Sequence, residues 1–142
     1  MEQFNTYLRR LRERGYFNEG GHLRPELRVE DAEMVAKVLV NADTTNGQLR
    51  RFFTMSRGLE QRLAAGHSFD SIVADIASLQ PFAADLIGKQ QKAELRRKLE
   101  VLRKFIDTNA DLARRDVRAF QKGFIPHFES VIAYFKYYKP RE

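Results

Sequence analysis

Arg50, Thr54, Arg57 and Gln61 recur at spacings of four, three and four, which on a helix sets them in one line. Guanidinium forks repeated along one axis suit a phosphate backbone, because each planar fork can pair with two phosphate oxygens. Arg51, Gly58 and Arg62 form a neighbouring strip with Met55. A second cationic line follows at Lys89, Lys92, Arg96 and Arg103, with Glu100 inside it at the helical spacing that pairs with Arg96 and Lys104. Bond-making chemistry has far thinner support. His22, His67 and His127 are scattered over three segments, and His127 and Glu129 lie two apart, so they do not face each other on a helix. Each histidine reads as a surface or core residue with a satisfied hydrogen bond, and nothing resembles a metal-binding histidine pair. Gly20 and Gly21 lack the lysine and serine of a phosphate loop and read as a turn. Cysteine is absent, which excludes disulfides, thiolate catalysis and sulfur-ligated zinc. The residues therefore point to binding, with no active site and no cofactor.

The elements that must hold these cations are helical. Gln3 to Arg14 carries Phe4, Tyr7, Leu8 and Leu11 on one stripe and most of its arginines off it, and Gly15 stops it. A glycine- and proline-containing loop leads to a second helix over Glu30 to Asn41, with Glu30, Asp31 and Glu33 where the helix dipole favours negative charge. Thr45 followed three residues later by Gln48 is a capping box, so the helix bearing Arg50 starts there. Its buried side is Leu49, Phe52, Phe53, Ser56, Leu59 and Leu63, and Gly66 ends it. Ser68 or Asp70 caps a shorter helix, which Pro81 breaks or restarts, and Phe82, Ala83, Leu86 and Ile87 then add an apolar turn. Leu95, Leu99, Leu102 and Ile106 form a stripe that resumes at Ala113, Val117, Phe120 and Phe124, with a turn expected near Asp107 to Asp111 and a kink or restart between Gly123 and Pro126. The aromatic closing segment, Phe124 to Pro140, sets Phe128, Val131, Phe135 and Tyr138 on one side and must pack on something. Tyr134, Tyr137 and Tyr138 around Lys136 could stack on bases, although their helical context favours core or interface packing. No alternating strand pattern and no internal repeat is visible. An all-α compact bundle of about five to six helices is expected, as a single domain over residues 1–142.

With 142 residues, 43% of them hydrophobic, the chain can build one core. No apolar run approaches the roughly 18 residues of a membrane span, and MEQFNTYLRR lacks the apolar centre of a signal peptide, so a soluble cytoplasmic protein is expected. The net charge of +6 favours a polyanionic partner, since cations that neutralise phosphates release condensed counterions. The excess is concentrated between Leu86 and Lys122, whereas residues 68–88 carry Asp70, Asp75 and Asp85 with no Lys or Arg. Blocks of opposite sign would let one copy dock on another.

Four segments, GYF at Gly15 to Phe17, TTNGQLRRFF at Thr44 to Phe53, LQPFAADLIGKQ at Leu79 to Gln90 and HFESVIAYFKYY at His127 to Tyr138, together resemble the small-subunit family of type III-A CRISPR Csm complexes. The resemblance implies an all-helical, non-catalytic subunit, present in several copies that touch head to tail and line the groove holding a guide RNA and its target RNA, beside the other Csm subunits. It places RNA-binding positions on Arg50, Arg51, Lys89 and Lys136. Arg57, Lys92 and Arg96 join them from the stripe geometry alone. Two other readings fit a basic helical chain: a pure protein scaffold, and a DNA-binding regulator. The second needs a basic recognition helix after Arg62, where the acidic segment stands instead.

Overall fold

The computed structural model describes residues 1–139, so Pro140, the expected end of the aromatic segment, lies outside the described residues. The chain runs through α1 (Glu2–Arg14), a 3₁₀ turn (Pro25–Leu27), α2 (Glu30–Asn41), α3 (Asn46–Ala64), α4 (Phe69–Ala77), α5 (Leu79–Gly88), α6 (Ala93–Ala113), a π-helical segment (Ala119–Phe124) and α7 (Ile125–Tyr138). Among the described residues the only extended pairing is an isolated bridge between Phe17 and Leu23. The fold is all-α, as the periodicities require.

The boundaries follow local chemistry. Gly15 ends α1 with φ 67°, a left-handed conformation that glycine adopts without a Cβ penalty. The capping box at α3 is complete: Gln48 N–H donates to Thr45 Oγ1 at 3.0 Å and Thr45 N–H donates to Gln48 Oε1 at 2.9 Å. Ser68 is the residue that caps α4, through Ser71 N–H. α4 and α5 meet at Ser78, so the restart comes just ahead of Pro81, which falls in the first turn of α5 where its missing N–H is harmless.

The turn expected near Asp107 to Asp111 does not exist, because α6 continues to Ala113. Asp107 accepts from Arg103 one turn earlier at 2.7 Å, Asn109 Nδ2 donates to the Phe105 carbonyl at 2.9 Å, and Thr108, Asn109 and Ala110 are buried. Polar residues that look like a loop are thus held in the helix by bonds made within it. The break falls at Arg114 to Asp116, and Asp116 Oδ1 accepts from Ala119 N–H at 2.7 Å, capping the helical turn at Val117 and Arg118 that leads through the π-helical segment into α7. Val117, expected on the buried stripe, is exposed at the first helical position after this break.

α7 lies mainly against α2 and also touches α3, while α5 packs along α6. Phe105, Phe120, Phe124, Phe128 and Phe135 are all buried, with edge-on ring contacts linking Phe105, Phe124 and Phe128. Close ring packing of this kind contributes about 0.5–1.5 kcal/mol per pair beyond area burial. The far end of α7 is tied down as well: Tyr138 Oη donates to Glu33 Oε2 at 2.5 Å, and Lys139 Nζ donates to the Thr44 carbonyl at 2.9 Å.

Candidate nucleic-acid interface

All seven cations expected to meet RNA are exposed: Arg50, Arg51 and Arg57 on α3, Lys89 and Lys92 between α5 and α6, Arg96 on α6 and Lys136 on α7. The fold brings two of them onto one feature. Arg51 and Lys89 line a cleft of about 170 Å³ between the start of α3 and the end of α5, together with Phe52, Met55, Phe82, Asp85 and Leu86. The capping box fixes where α3 begins, and so fixes which face of it Arg51 occupies. The α4–α5 bend then returns the chain so that Lys89, at the C-terminal end of α5, reaches the same opening.

Charge pairing divides the set. Lys89 Nζ sits 2.8 Å from Asp85 Oδ2, and Arg57 Nη1 sits 2.6 Å from Glu60 Oε1. Exposed pairs like these hold only weakly, in the range of about 0–1 kcal/mol, so a phosphate can displace either carboxylate. Arg50, Arg51, Lys92, Arg96 and Lys136 make no ion pair among the described residues. Glu100 pairs with Arg103 at 2.6 Å and leaves Arg96 and Lys104 alone, against the sequence expectation; Arg103 is three residues on and is drawn further into place by Asp107. Lys92, Arg96 and Lys136 do not line the cleft.

Arg62, on the strip beside Arg51, has a different role. Its guanidinium donates to Asp75 Oδ2 at 2.7 Å and joins α3 to α4. The acidic segment is therefore largely engaged within the chain, Asp75 with Arg62 and Asp85 with Lys89. Sequence spacing places Phe82 in the apolar turn of α5 and gives no sign of its outward position, 50% exposed at the cleft. Tyr138 is bonded to Glu33 and has Lys37 over its ring at 5.2 Å, whereas Tyr137 is exposed.

His127 and Asp31 are both engaged inside the fold. His127 is buried with both ring nitrogens engaged: Nδ1 lies 2.7 Å from the Leu27 carbonyl and Nε2 lies 2.6 Å from Tyr7 Oη. The carbonyl can only accept, so Nδ1 carries the proton and Nε2 accepts from the tyrosine. Burial is the main cause that pulls its pKa down to about 4. Asp31, expected only to complement the helix dipole, is buried and accepts from Arg10 at 2.7 Å across α1 and α2. Among the described residues no group of three or more His, Cys, Asp or Glu side chains could hold a metal ion, and no helix is long and apolar enough to cross a membrane.

A family model described as Csm2 Type III-A matches residues 23–141. The match includes α2 to α7 and both walls of the cleft; α1 and the Gly15 to Phe17 segment precede it. No curated protein and no solved structure matches the chain. With the matched span taking in the α3 capping box, the Arg51–Lys89 cleft and the aromatic α7, the chain belongs to the Csm2 Type III-A family, the small-subunit family of type III-A CRISPR Csm complexes.

Proposed function

We propose that this protein is a non-catalytic subunit that holds RNA backbone in a type III-A guide-RNA complex in the cytoplasm, with several copies touching head to tail along it. The observation that carries this reading is the convergence of Arg51 and Lys89, distant in sequence, on one cleft, with Arg50 exposed beside Arg51 on α3. Base pairing between guide and target would supply sequence information, and exposed guanidinium and ammonium groups would hold phosphates without reading bases. A DNA-binding regulator is disfavoured because the helix after α3 presents Asp70 and Asp75, and Arg62, which would have to reach DNA, is tied to Asp75.

The test is the double variant Arg50→Ala, Arg51→Ala in the assembled complex. Both side chains are exposed and make no ion pair among the described residues, so helical content by circular dichroism should stay unchanged. Target RNA should elute at lower salt than from the parent complex, with a shallower dependence of affinity on salt. Retention equal to the parent would remove these arginines from the RNA contact and favour a purely protein-binding scaffold.

A further inference from the structure

Phe82 stands between two adjoining clefts along α3. One is the Arg51–Lys89 cleft; the other is lined by Met55, Gly58, Leu59 and Arg62, and Met55 and Phe82 belong to both. Together they make one groove between α3 and the α4–α5 bend, with a half-exposed aromatic ring in its middle.

Gly58 in this groove lacks an internal explanation. It lies inside α3, where glycine is less favourable than alanine because its backbone loses more freedom on folding. Its φ is not positive, and a Cβ built on it would meet nothing within 4 Å. Gly123, by contrast, is required by its neighbours, since a Cβ there would come within 2.4 Å of the Tyr16 ring. A mid-helix glycine that neither packing nor backbone conformation demands, facing a groove, leaves room for something that approaches the helix closely.

We propose that this groove takes an unpaired nucleotide of the bound RNA, its base stacked on Phe82, its phosphate on Arg51, and its sugar side passing over the bare backbone at Gly58. The inference rests on the RNA-holding reading above and adds to it a base-contacting site of stated chemistry. Three features fit this occupant. Phe82 offers an exposed π face, and a base stacks on such a face whatever its sequence. Arg51, at the edge of the cleft, has no carboxylate partner among the described residues, so an anion is the complement this wall lacks. Asp75, an acidic group of the groove, is already paired with Arg62 and so opposes a polyanion less than a free carboxylate would.

The test uses the full chain assembled in its complex on RNA carrying 4-thiouridine, with photocrosslinks mapped by mass spectrometry. Crosslinks should fall on the α5 peptide that contains Phe82. Phe82→Ala should lose them and weaken RNA retention by about five- to a hundred-fold, whereas Phe82→Tyr, which keeps the stacking face, should preserve both. Gly58→Ala should raise the Tm of the isolated protein and yet weaken RNA retention in the complex, a pairing of effects that general destabilisation cannot produce. RNA retained through Arg50 and Arg51, with no crosslink at Phe82 and no effect of Gly58→Ala, would overturn the nucleotide site and leave the backbone-holding role standing. Crosslinks from Phe82 to another protein chain would overturn it in favour of a protein occupant. Failure of the broader reading looks different: no RNA crosslink anywhere on this chain, and no loss of RNA from the Arg50→Ala, Arg51→Ala variant.

Discussion

His127 is linked through Tyr7 to Asn109, whose Nδ2 donates to Tyr7 Oη at 3.2 Å and whose Oδ1 accepts from Tyr16 Oη at 2.8 Å. This buried polar chain is complete only while the imidazole is neutral, because a charged ring would need Nε2 to donate as well. The folded pKa of about 4 lies below the ordinary value of 6.5, so between these values the unfolded chain binds a proton that the folded chain refuses. Stability from this group is fully present above pH 6.5 and is lost as pH falls towards 4, by on the order of 3 kcal/mol. Urea unfolding at a series of pH values should show that loss, and His127→Gln should flatten this part of the profile even if it lowers stability at neutral pH. A parent profile no steeper than that of the variant would mean that the buried imidazole accepts its proton without cost. Gly123 supplies a second test at this scale. Its missing Cβ lets Tyr16 lie against the π-helical segment, with ring carbons 2.4 and 2.5 Å from where that Cβ would stand. Gly123→Ala must push Tyr16 away from Asn109, at a cost of about 1–3 kcal/mol from overpacking. An unchanged unfolding midpoint would show that the segment shifts freely, and that Tyr16 is not pinned.

Among the elements, α3 is the one whose placement decides function, and its start was legible because a capping box has a fixed sequence form. Thr45→Ala removes the acceptor for Gln48 N–H and should cost about 1 kcal/mol of stability. Loosening the first turn should also blur the positions of Arg50 and Arg51, so RNA retention should fall modestly although no cation has been removed. Thermal unfolding and salt elution measured on the same variant check both halves, and a loss of stability with unaltered retention would separate the cap from the site. The end of α6 was not legible for the opposite reason. Asp107, Thr108, Asn109 and Asp111 have loop-like composition, but Arg103 and the Phe105 carbonyl take up two of those side chains inside the helix. Composition reports what a side chain would do in water, and the bonds that hold it in a helix depend on neighbours one turn away. Phe82 escaped notice on similar grounds. Periodicity puts it on the apolar side of α5, but α5 is bent away from α4 at Ser78 and packs along α6 with Leu79, Ala83 and Ile87 buried, which leaves Phe82 at the rim.

Across the whole molecule, the aromatic core was readable from its three-and-four spacing, and the cationic residues were readable as exposed. Which cations are already spoken for was not, since that depends on carboxylates brought close by the fold or by rotamer choice. Arg62 meets Asp75 only because α4 folds back beside α3, and Lys98 meets Asp43 at 2.7 Å only because α6 passes the α2–α3 turn. The distinction has a measurable consequence for RNA binding. A cation with no internal partner releases counterions from RNA when it binds, contributing a slope of about −0.7 per phosphate for single strands in a plot of log affinity against log salt. A cation already paired must give up its carboxylate, which then takes up a counterion of its own and cancels part of that release. Arg51→Ala should therefore make the slope shallower by nearly the full amount, whereas Arg57→Ala, which frees Glu60 from its 2.6 Å pair, should change it little and reduce affinity uniformly by adding an unpaired negative charge near the strand. Removing both members, Arg57→Ala with Glu60→Gln, should restore affinity towards the parent value. If Arg57→Ala instead flattens the slope as much as Arg51→Ala does, and the double variant fails to recover, then Arg57 leaves Glu60 in the bound state and the RNA contact extends along the whole Arg50–Gln61 line of α3.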